Sequence, residues 1–394
     1  MSWLVCSLDI WNWYIKWVLF IEDYNNKRNI IAKDMIKSEW LKRWKILDSN
    51  NLIKSISKVI DNLSKKVDSP IDQVIVWLSH PDMKIKPYNN HKRLVNIEIT
   101  EKDVSSLLEW VQESIDEPNM EILKIIPVRW TIDDEHHTKN PVWMQWRKLE
   151  LQANVFMIPS NNYKDLEKIF DELDIDIIDF IPNILWAEEA CLSAETKDLW
   201  CVLIDIGANQ TSYIIYEEGI NLGYGIISIW WEEITKDISI WLKIDYIQAE
   251  QIKKEEWEIV LNNENVKKED SKVDKLFLSE IIEARLSEDI YKPIAEKMQS
   301  LWIYWRLPWW IILIWWAWKI WNIEEYTRDY FELACKIWQV NDSSFKELWS
   351  NPLFVNAIGN YMWEEKYWEE SWWFNLVFNM WFLKSIKDFI KKIF

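Results

Sequence analysis

Five glycines in a chain of 394 residues are too few to build an ordinary fold. Tight turns, helix ends and phosphate-cradling loops need a residue that takes positive φ or lacks a Cβ. An average chain devotes roughly 7% of its residues to glycine. This one carries 32 tryptophans instead, and they stand where the missing glycines belong. The stretches "LDIWNWYIKW" (8–17), "IWWEEIT" (229–235) and "LPWWIILIWWAWKI" (307–320) show the pattern. With glycine for tryptophan they become LDIGNGYIKG, IGGEEIT and LPGGIILIGGAGKI. Some bacteria reassign the UGA codon to glycine, and a translation that reads UGA as tryptophan leaves this trace. We therefore expect most of these tryptophans to be glycine in the native protein. Trp363, Trp372 and Trp373, in the less constrained C-terminal part, are left open. The competing expectation, an aromatic binding platform, would not select the glycine positions of phosphate loops.

The length allows two or more domains, and 49% apolar residues supply real cores. A formal net charge of −18 argues against a nucleic-acid partner, which calls for a basic face. Cys6, Cys191, Cys201 and Cys335 show no CxxC spacing and read as free or buried thiols of a reducing compartment. The N-terminus lacks a basic n-region, and no run of about 18 apolar residues exists, so a cytoplasmic chain is expected. The four histidines are not spaced as metal ligands. His136 and His137 fall in a charged segment (133–139) that reads as a solvated loop.

Along the chain, residues 1–20 read as strand, tight turn at 11–13, and strand, and an amphipathic helix follows near 49–65. The β-branched "QVIVWLS" (73–79) is a buried strand. From 80 to 159 the pattern changes to short strands with one helix (100–115), the mark of an inserted subdomain. A helix at about 162–173 and "IDIIDFIP" return the chain to a core. "LWCVLIDIGANQTSYIIYEEG" (199–219) then repeats the opening strand–turn–strand, which implies two related lobes. Residues 232–303 read as mostly helical, 262–275 as a charged loop or surface strand pair, "IILI" (311–314) as a buried strand, and 324–337 as a helix.

The chemistry lies in the turns. Asp9 precedes Trp11-Asn12-Trp13, and Asp205 precedes Gly207-Ala208-Asn209-Gln210-Thr211. Backbone N–H groups of such turns can face phosphate oxygens, provided the side chains there are small. The two carboxylates, Asp9 and Asp205, would hold Mg²⁺ largely through water. A third patch, Trp315, Trp316, Ala317 and Trp318, would let adenosine lie against backbone if glycine stands at 315, 316 and 318.

Three such patches in this order resemble those of the actin/Hsp70-like ATPases, and "SLDIWNWYIKWVLF", "VLIDIGANQTSYIIY" and "LPWWIILIWWAWKI" look like their two phosphate motifs and their adenosine motif. Within that superfamily the chain closely resembles the FtsA family along essentially its whole length. "SEWLKRWKILD", "NPVWMQWRKLELQANVFMI", "SIWWEEITKDISIWLKIDYIQAEQIK" and "EIIEARLSEDI" carry that resemblance. It implies an α/β, actin-like two-lobed ATPase fold built on ribonuclease-H-like repeats, with an inserted 1C-type subdomain. By the same resemblance, ATP and Mg²⁺ are the cofactors, Lys16 belongs to the first cradle, and Glu250 and Lys253 reach ribose and base. The second phosphate motif departs from the family in carrying Ala208-Asn209-Gln210-Thr211-Ser212 without a closing acid. At most slow hydrolysis is expected, with Asp205 the one candidate catalytic residue.

The implied division is a lobe 1 core (1–79, 159–198 and 346–374), a 1C-like subdomain (80–158), a lobe 2 core (199–240 and 304–345), a helical 2B-like subdomain (241–303), and a connector with terminal helix (375–394).

That last segment, "FLKSIKDFIKKIF" (382–394), is a functional signal of its own. Phe382, Leu383, Ile386, Phe389, Ile390, Ile393 and Phe394 fall on one helical face, with Lys384, Lys387, Lys391 and Lys392 on its flanks and back. A basic amphipathic helix on an acidic protein suits an anionic membrane surface, lying in the interface without spanning it. The alternative is a terminal helix docked on the body. The family carries a membrane-targeting helix at this position. The resemblance therefore implies a peripheral protein on the cytoplasmic face of the membrane at the division septum. It would form actin-like filaments and bind the FtsZ C-terminal tail, with Arg285 a candidate contact. A PilM-like pilus-assembly ATPase is the alternative within the superfamily, though such relatives typically lack a basic terminal helix. A soluble sugar kinase or chaperone ATPase on the same fold is the alternative of another class; the first lacks an evident extra acid constellation and the second calls for a substrate-binding domain.

Overall fold

The computed structural model describes residues 3–10, 14–22, 28–37, 41–42, 45–46, 48–93, 98–145, 147–207, 210–229, 231–256, 258–261, 274–301, 310–315 and 320–338. Among the expected features, the turns at 11–13 and 208–209, positions 316–318, most of the 262–275 segment, and everything from 339 to the terminal helix lie outside them.

The chain opens with three antiparallel strands, β1 (Trp3–Ile10), β2 (Tyr14–Glu22) and β3 (Arg28–Lys37), followed by a two-residue ribbon, β4 (Leu41–Lys42) and β5 (Lys45–Ile46). Helix α1 (Ser49–Val67) starts where the Asp48 carboxylate accepts from Asn51 N–H at 3.1 Å. It buries Leu52, Ile56, Val59, Ile60 and Leu63, one stripe at helical spacing, and stops where Asp68 turns left-handed behind Lys65 and Lys66. Strand β6 (Gln73–Leu78) runs parallel to β1 and is covered on both faces, as its unbroken apolar run requires.

The inserted subdomain is a second, antiparallel sheet. It holds β7 (Lys84–Arg93), α2 (Glu101–Ser114), β8 (Met120–Ile132), β9 (His136–Thr138) and β10 (Lys148–Pro159), in the order β7-β10-β8-β9. Helix α2 carries a reciprocal Thr100–Asp103 capping box. Two expectations are corrected. The strands are long, up to the 13 residues of β8. A pair of register shifts along β8–β10 lets their alternation drift out of phase, so the sequence reads as shorter pieces. His136 and His137 form the start of β9 and not a loop, because their backbone pairs with Ile132 and Thr131 while the side chains stay exposed.

After α3 (Ser160–Glu172), β11 (Asp176–Pro182) joins the first sheet, and α4 (Asn183–Cys191) and α5 (Ala194–Asp198) lead out of it. A third sheet follows, with β12 (Cys201–Ile206), β13 (Thr211–Glu217) and β14 (Ile220–Ile227). Helices α6 (Trp231–Leu242), α7 (Tyr246–Glu255) and α8 (Lys275–Arg285) come next, and a π-helical turn (Leu286–Tyr291) leads into α9 (Lys292–Ser300). Strand β15 (Trp310–Trp315), α10 (Ile323–Phe331) and β16 (Ala334–Ile337) complete the described chain. The helix expected over 324–337 therefore ends early. Glu332 takes a left-handed φ of 54°, and the next residues pair in parallel with β15.

The first and third sheets have the same topology. One runs β3-β2-β1-β6-β11 and the other β14-β13-β12-β15-β16, each an antiparallel meander of three strands extended by two parallel ones. The alternation of β12 explains their packing. Cys201 and Leu203 join the core of the first lobe, whereas Val202, Ile204 and Ile206 face the helices of the second. A sheet buried on both faces needs the near-continuous apolar run that "CVLIDI" supplies.

Candidate functional site

The duplication extends to single residues. In the first hairpin Ile10 pairs with Ile15, and in the second Ile206 pairs with Thr211, so each turn spans four residues. Asp9 and Asp205 are both the penultimate residues of their strands, at the carboxyl ends where open α/β sheets bind ligands. Asp9 is fully buried, with its carboxylate 3.7 Å from Lys16 Nζ on the returning strand. Burial pulls the Lys16 pKa below its ordinary value, and Asp9 opposes that shift. At the equivalent place in the second hairpin Asp205 faces Ser212, so the first turn carries a cation where the second carries a hydroxyl.

Gly207 makes the second turn possible. Its N–H donates to Gln210 O at 3.0 Å, and a Cβ at 207 would stand 2.9 Å from that same oxygen. The backbone closes on itself too tightly for any side chain. Thr211 is fully buried and its hydroxyl donates to Ile229 O at 3.3 Å. The buried Gln210 Oε1 has no hydrogen-bond partner among the described residues. Oxygen and nitrogen of such an amide exchange by a flip, so it can present a donor to a phosphate oxygen or an acceptor to an ion-bound water. The residues present therefore suit a phosphate group with a hydrated cation. Among the described residues no cluster of three or more His, Cys, Asp or Glu could hold a metal ion directly.

Glu250 and Lys253 meet on α7. Their side chains are 2.5 Å apart, and Thr235 on α6 bridges them, donating to Glu250 Oε2 at 2.7 Å and accepting from Lys253 Nζ at 2.6 Å. Burial pulls the Lys253 pKa down against the pull of Glu250. Burial would raise Glu250, but Lys253 and Thr235 outweigh it and hold the carboxyl below its usual value. Nothing local in "EEIT" marks Thr235, which lies 15 residues before its partner. Trp315 ends β15 opposite Ile206, so the third patch follows the strand that runs beside the second cradle.

Comparison with known proteins bears on this architecture. The sequence profile described as "Cell division protein FtsA" matches residues 202–359, and that of the "SHS2 domain inserted in FTSA" matches 83–157. The two overlap both the duplicated lobe and the inserted sheet. The chain belongs to the FtsA family. It is 28% identical over 313 residues to the cell division protein FtsA of Bacillus subtilis strain 168, covering 76% of this chain and 70% of that one. In structure it is similar to the PilM-PilN type IV pilus biogenesis complex, with a TM-score of 0.64 and 15% identity over 92% of this chain and 98% of that chain. It is also similar to MreB5 of Spiroplasma citri bound to AMPPNP, with a TM-score of 0.51 and 13% identity over 93% and 97%. The fold is that of the actin-like ATPases.

The remaining site expectations for this FtsA-family chain divide plainly. Asp9, Lys16, Asp205, Gly207, Gln210, Thr211, Glu250, Lys253 and Arg285 are described. Trp11, Asn12, Trp13, Ala208, Asn209, Trp316, Ala317, Trp318 and the terminal helix lie outside the described residues. Arg285 sits on the helical subdomain in a half-buried cluster, donating from Nε and Nη2 to Asp237 at 2.8 and 2.6 Å and from Nη1 to Asp289 at 2.7 Å. Among the described residues no helix is long and apolar enough to cross a membrane. A cavity of about 320 Å³ between the inserted sheet and the β13–β14 turn, lined by Arg129, Gln152, Asn154 and Asn221, contains none of the expected site residues.

Proposed function

We propose that the protein binds ATP with Mg²⁺ between its two lobes, polymerises as an actin-like filament, and tethers FtsZ to the cytoplasmic face of the membrane at the septum through residues 382–394. The observation that carries the nucleotide part is the matched pair of acid-bearing turns, with equal loop length and Asp9 and Asp205 at equivalent strand ends. In this proposal the turn at Gly207 presents backbone N–H groups to phosphate, Lys16 adds positive charge beside Asp9, and the two carboxylates hold the hydrated ion. Mg²⁺ would supply neutralisation of phosphate charge. Glu250, Lys253 and Thr235 would hold the ribose and base. Ser212 stands where the family motif continues towards its acid, so the site is suited to retaining nucleotide and to slow hydrolysis at most.

The membrane part rests on the sequence of the tail, in which seven apolar residues share a face flanked by four lysines. Each lysine near an anionic surface is worth about 1 kcal/mol. The FtsZ part rests on family membership, with the helical subdomain and Arg285 as the docking region. Because Arg285 is held by Asp237 and Asp289, an acidic peptide would have to displace one of them.

Co-sedimentation with vesicles of anionic and of neutral lipid tests the tether. The full chain should pellet with anionic vesicles and carry FtsZ with it, and a chain lacking 382–394 should stay in the supernatant. A truncated chain that still pellets refutes the tether. A full chain that pellets without FtsZ at any ATP concentration refutes the anchor.

A further inference from the structure

The backbone at two tryptophans is backbone that belongs to glycine. Eleven described residues other than glycine have positive φ. Six are Asp or Asn (Asp68, Asn119, Asp133, Asp134, Asp174, Asn322), the residues that tolerate the left-handed region best, and three are Glu218, Lys243 and Glu332. The other two are Trp143, with φ 70°, and Trp200, with φ 61°. A bulky residue in that region is an outlier that calls for a reason.

At Trp143 the indole is exposed and supplies none. At Trp143 the Met144 N–H donates to Pro141 O at 3.2 Å, which closes a four-residue turn over 141–144. Among the described residues φ is positive at its third residue and not at Val142 before it, which is the type II pattern. That turn needs φ of about +80° at its third residue and takes glycine there. The Trp143 indole is 75% exposed. The turn is also fixed in place, with Trp143 N–H donating to Ile99 O at 3.0 Å and Ile99 N–H to Met144 O at 2.9 Å. It cannot relax to suit a side chain.

Trp200 follows the last turn of α5. Leu199 is the C-cap, with its N–H donating to Glu195 O at 3.0 Å, and Trp200 is the left-handed residue just beyond it. That is the position at which helices most often place glycine. Its carbonyl accepts from Trp310 N–H at 3.2 Å as the chain enters β12, so this backbone too is held from outside. The indole is partly buried against the second core. The β13–β14 turn is the internal control, since there the left-handed pair is Glu218 and a real glycine, Gly219, at φ 75°.

From these two backbones we infer that residues 143 and 200 are glycine in the native protein, so that the gene is read by a code in which UGA specifies glycine. The inference is independent of the function proposed above. It extends the reassignment from the acid-bearing turns to an exposed turn of the inserted subdomain and a helix end, neither of them among the expected site residues.

Peptide mapping of the protein purified from its own cells tests this directly. The tryptic fragments 140–147 and 198–236 should carry glycyl mass at 143 and 200, and a tryptophanyl mass at either overturns the inference for that position. A second measurement separates backbone from side chain. In recombinant protein made under the standard code, Trp143→Gly should raise the thermal midpoint by roughly 2 °C, and Trp143→Ala, which keeps a Cβ, should raise it less. Equal shifts would overturn the backbone argument.

Discussion

Glu188 is a buried charge with three hydrogen-bonding partners, and they make the cost of disturbing it calculable. It sits on α4, buried, and accepts from Lys197 Nζ on α5 at 3.0 Å, from Tyr224 OH on β14 at 2.6 Å, and from Tyr216 OH on β13. The Lys197 ammonium also lies 5.2 Å from the centre of the Tyr216 ring. Four side chains thus bind the helices that leave the first lobe to the sheet of the second. Burial would raise the Glu188 pKa, but Lys197 and the two hydroxyls more than reverse it and the carboxyl is held below its usual value. A carboxylate so depressed adds stability that is present above the unfolded pKa and is lost as pH falls through the folded one.

Now let Lys197→Met remove the cation. At the 3.0 Å separation the attraction forgone is about 5 kcal/mol for an effective dielectric near 20. Losing one partner of a buried pair costs about 3–5 kcal/mol in general. The carboxyl has an escape, however, because it can take up a proton. With a reference pKa of about 4.3, protonation at pH 7 costs about 3.7 kcal/mol, and at pH 5 only about 1. The loss is therefore capped near 3–4 kcal/mol at pH 7 and should shrink to about 1 kcal/mol at pH 5. Urea denaturation of both proteins at the two pH values measures this, and adding Glu188→Gln to the variant should erase the pH dependence. A penalty of equal size at pH 5 and pH 7 would refute the reasoning, since it would mean that charge burial is not what Lys197 relieves.

Three other perturbations have defined outcomes. Gly207→Ala places a Cβ 2.9 Å from Gln210 O, so it should destabilise by about 1–3 kcal/mol and weaken binding of a fluorescent ATP analogue at least tenfold. Unchanged affinity in the folded variant would remove that turn from the site. Thr235→Val strips Glu250 and Lys253 of their shared hydroxyl and should cost about 1–3 kcal/mol in urea titration, with Thr235→Ser retaining most of the stability. His80 is buried, and its Nδ1 accepts from Asp82 N–H at 3.0 Å at the entrance to the inserted subdomain. Burial lowers its pKa against the opposing pull of Asp82 and Asn162, so the unfolded chain protonates first and stability should fall as pH drops below about 6.5. His80→Asn, which keeps an acceptor but cannot titrate, should flatten that limb of the stability–pH curve.

What could be read from the sequence, and what could not, follows from the range of the forces involved. Both acid-bearing hairpins and helix α1 were legible, because each is encoded by a few adjacent residues. These are the acid just before each short turn, at Asp9 and Asp205, and the helical stripe from Leu52 to Leu63. Strand β16 was misread as helix for a long-range reason. "LACKI" has no strong local preference, and only pairing with β15, after Glu332 turns the chain left-handed, makes it a strand. Thr235 and Lys197 were missed for the same cause, since their roles exist only once α6 meets α7 and α5 meets β13.

The tryptophans bring the local and the long-range together. Composition alone says that glycines are missing, without saying where a glycine is needed. The left-handed backbones at 143 and 200 supply positions, and both are held by backbone hydrogen bonds to distant residues, Ile99 and Trp310. A fold that dictates φ at a residue whose side chain opposes it preserves a record of what that residue was selected to be. The same logic reaches the first acid-bearing turn. It has the length of the Gly207 turn and the same acid at the same strand position. By register, position 11 corresponds to Gly207, where even a single Cβ would stand 2.9 Å from a backbone oxygen. Nucleotide affinity should therefore be weak in protein made under the standard code, and restoring glycine at 11 and 13 should recover it by tenfold or more. No gain in a folded, restored protein would separate the two turns and break the argument from duplication.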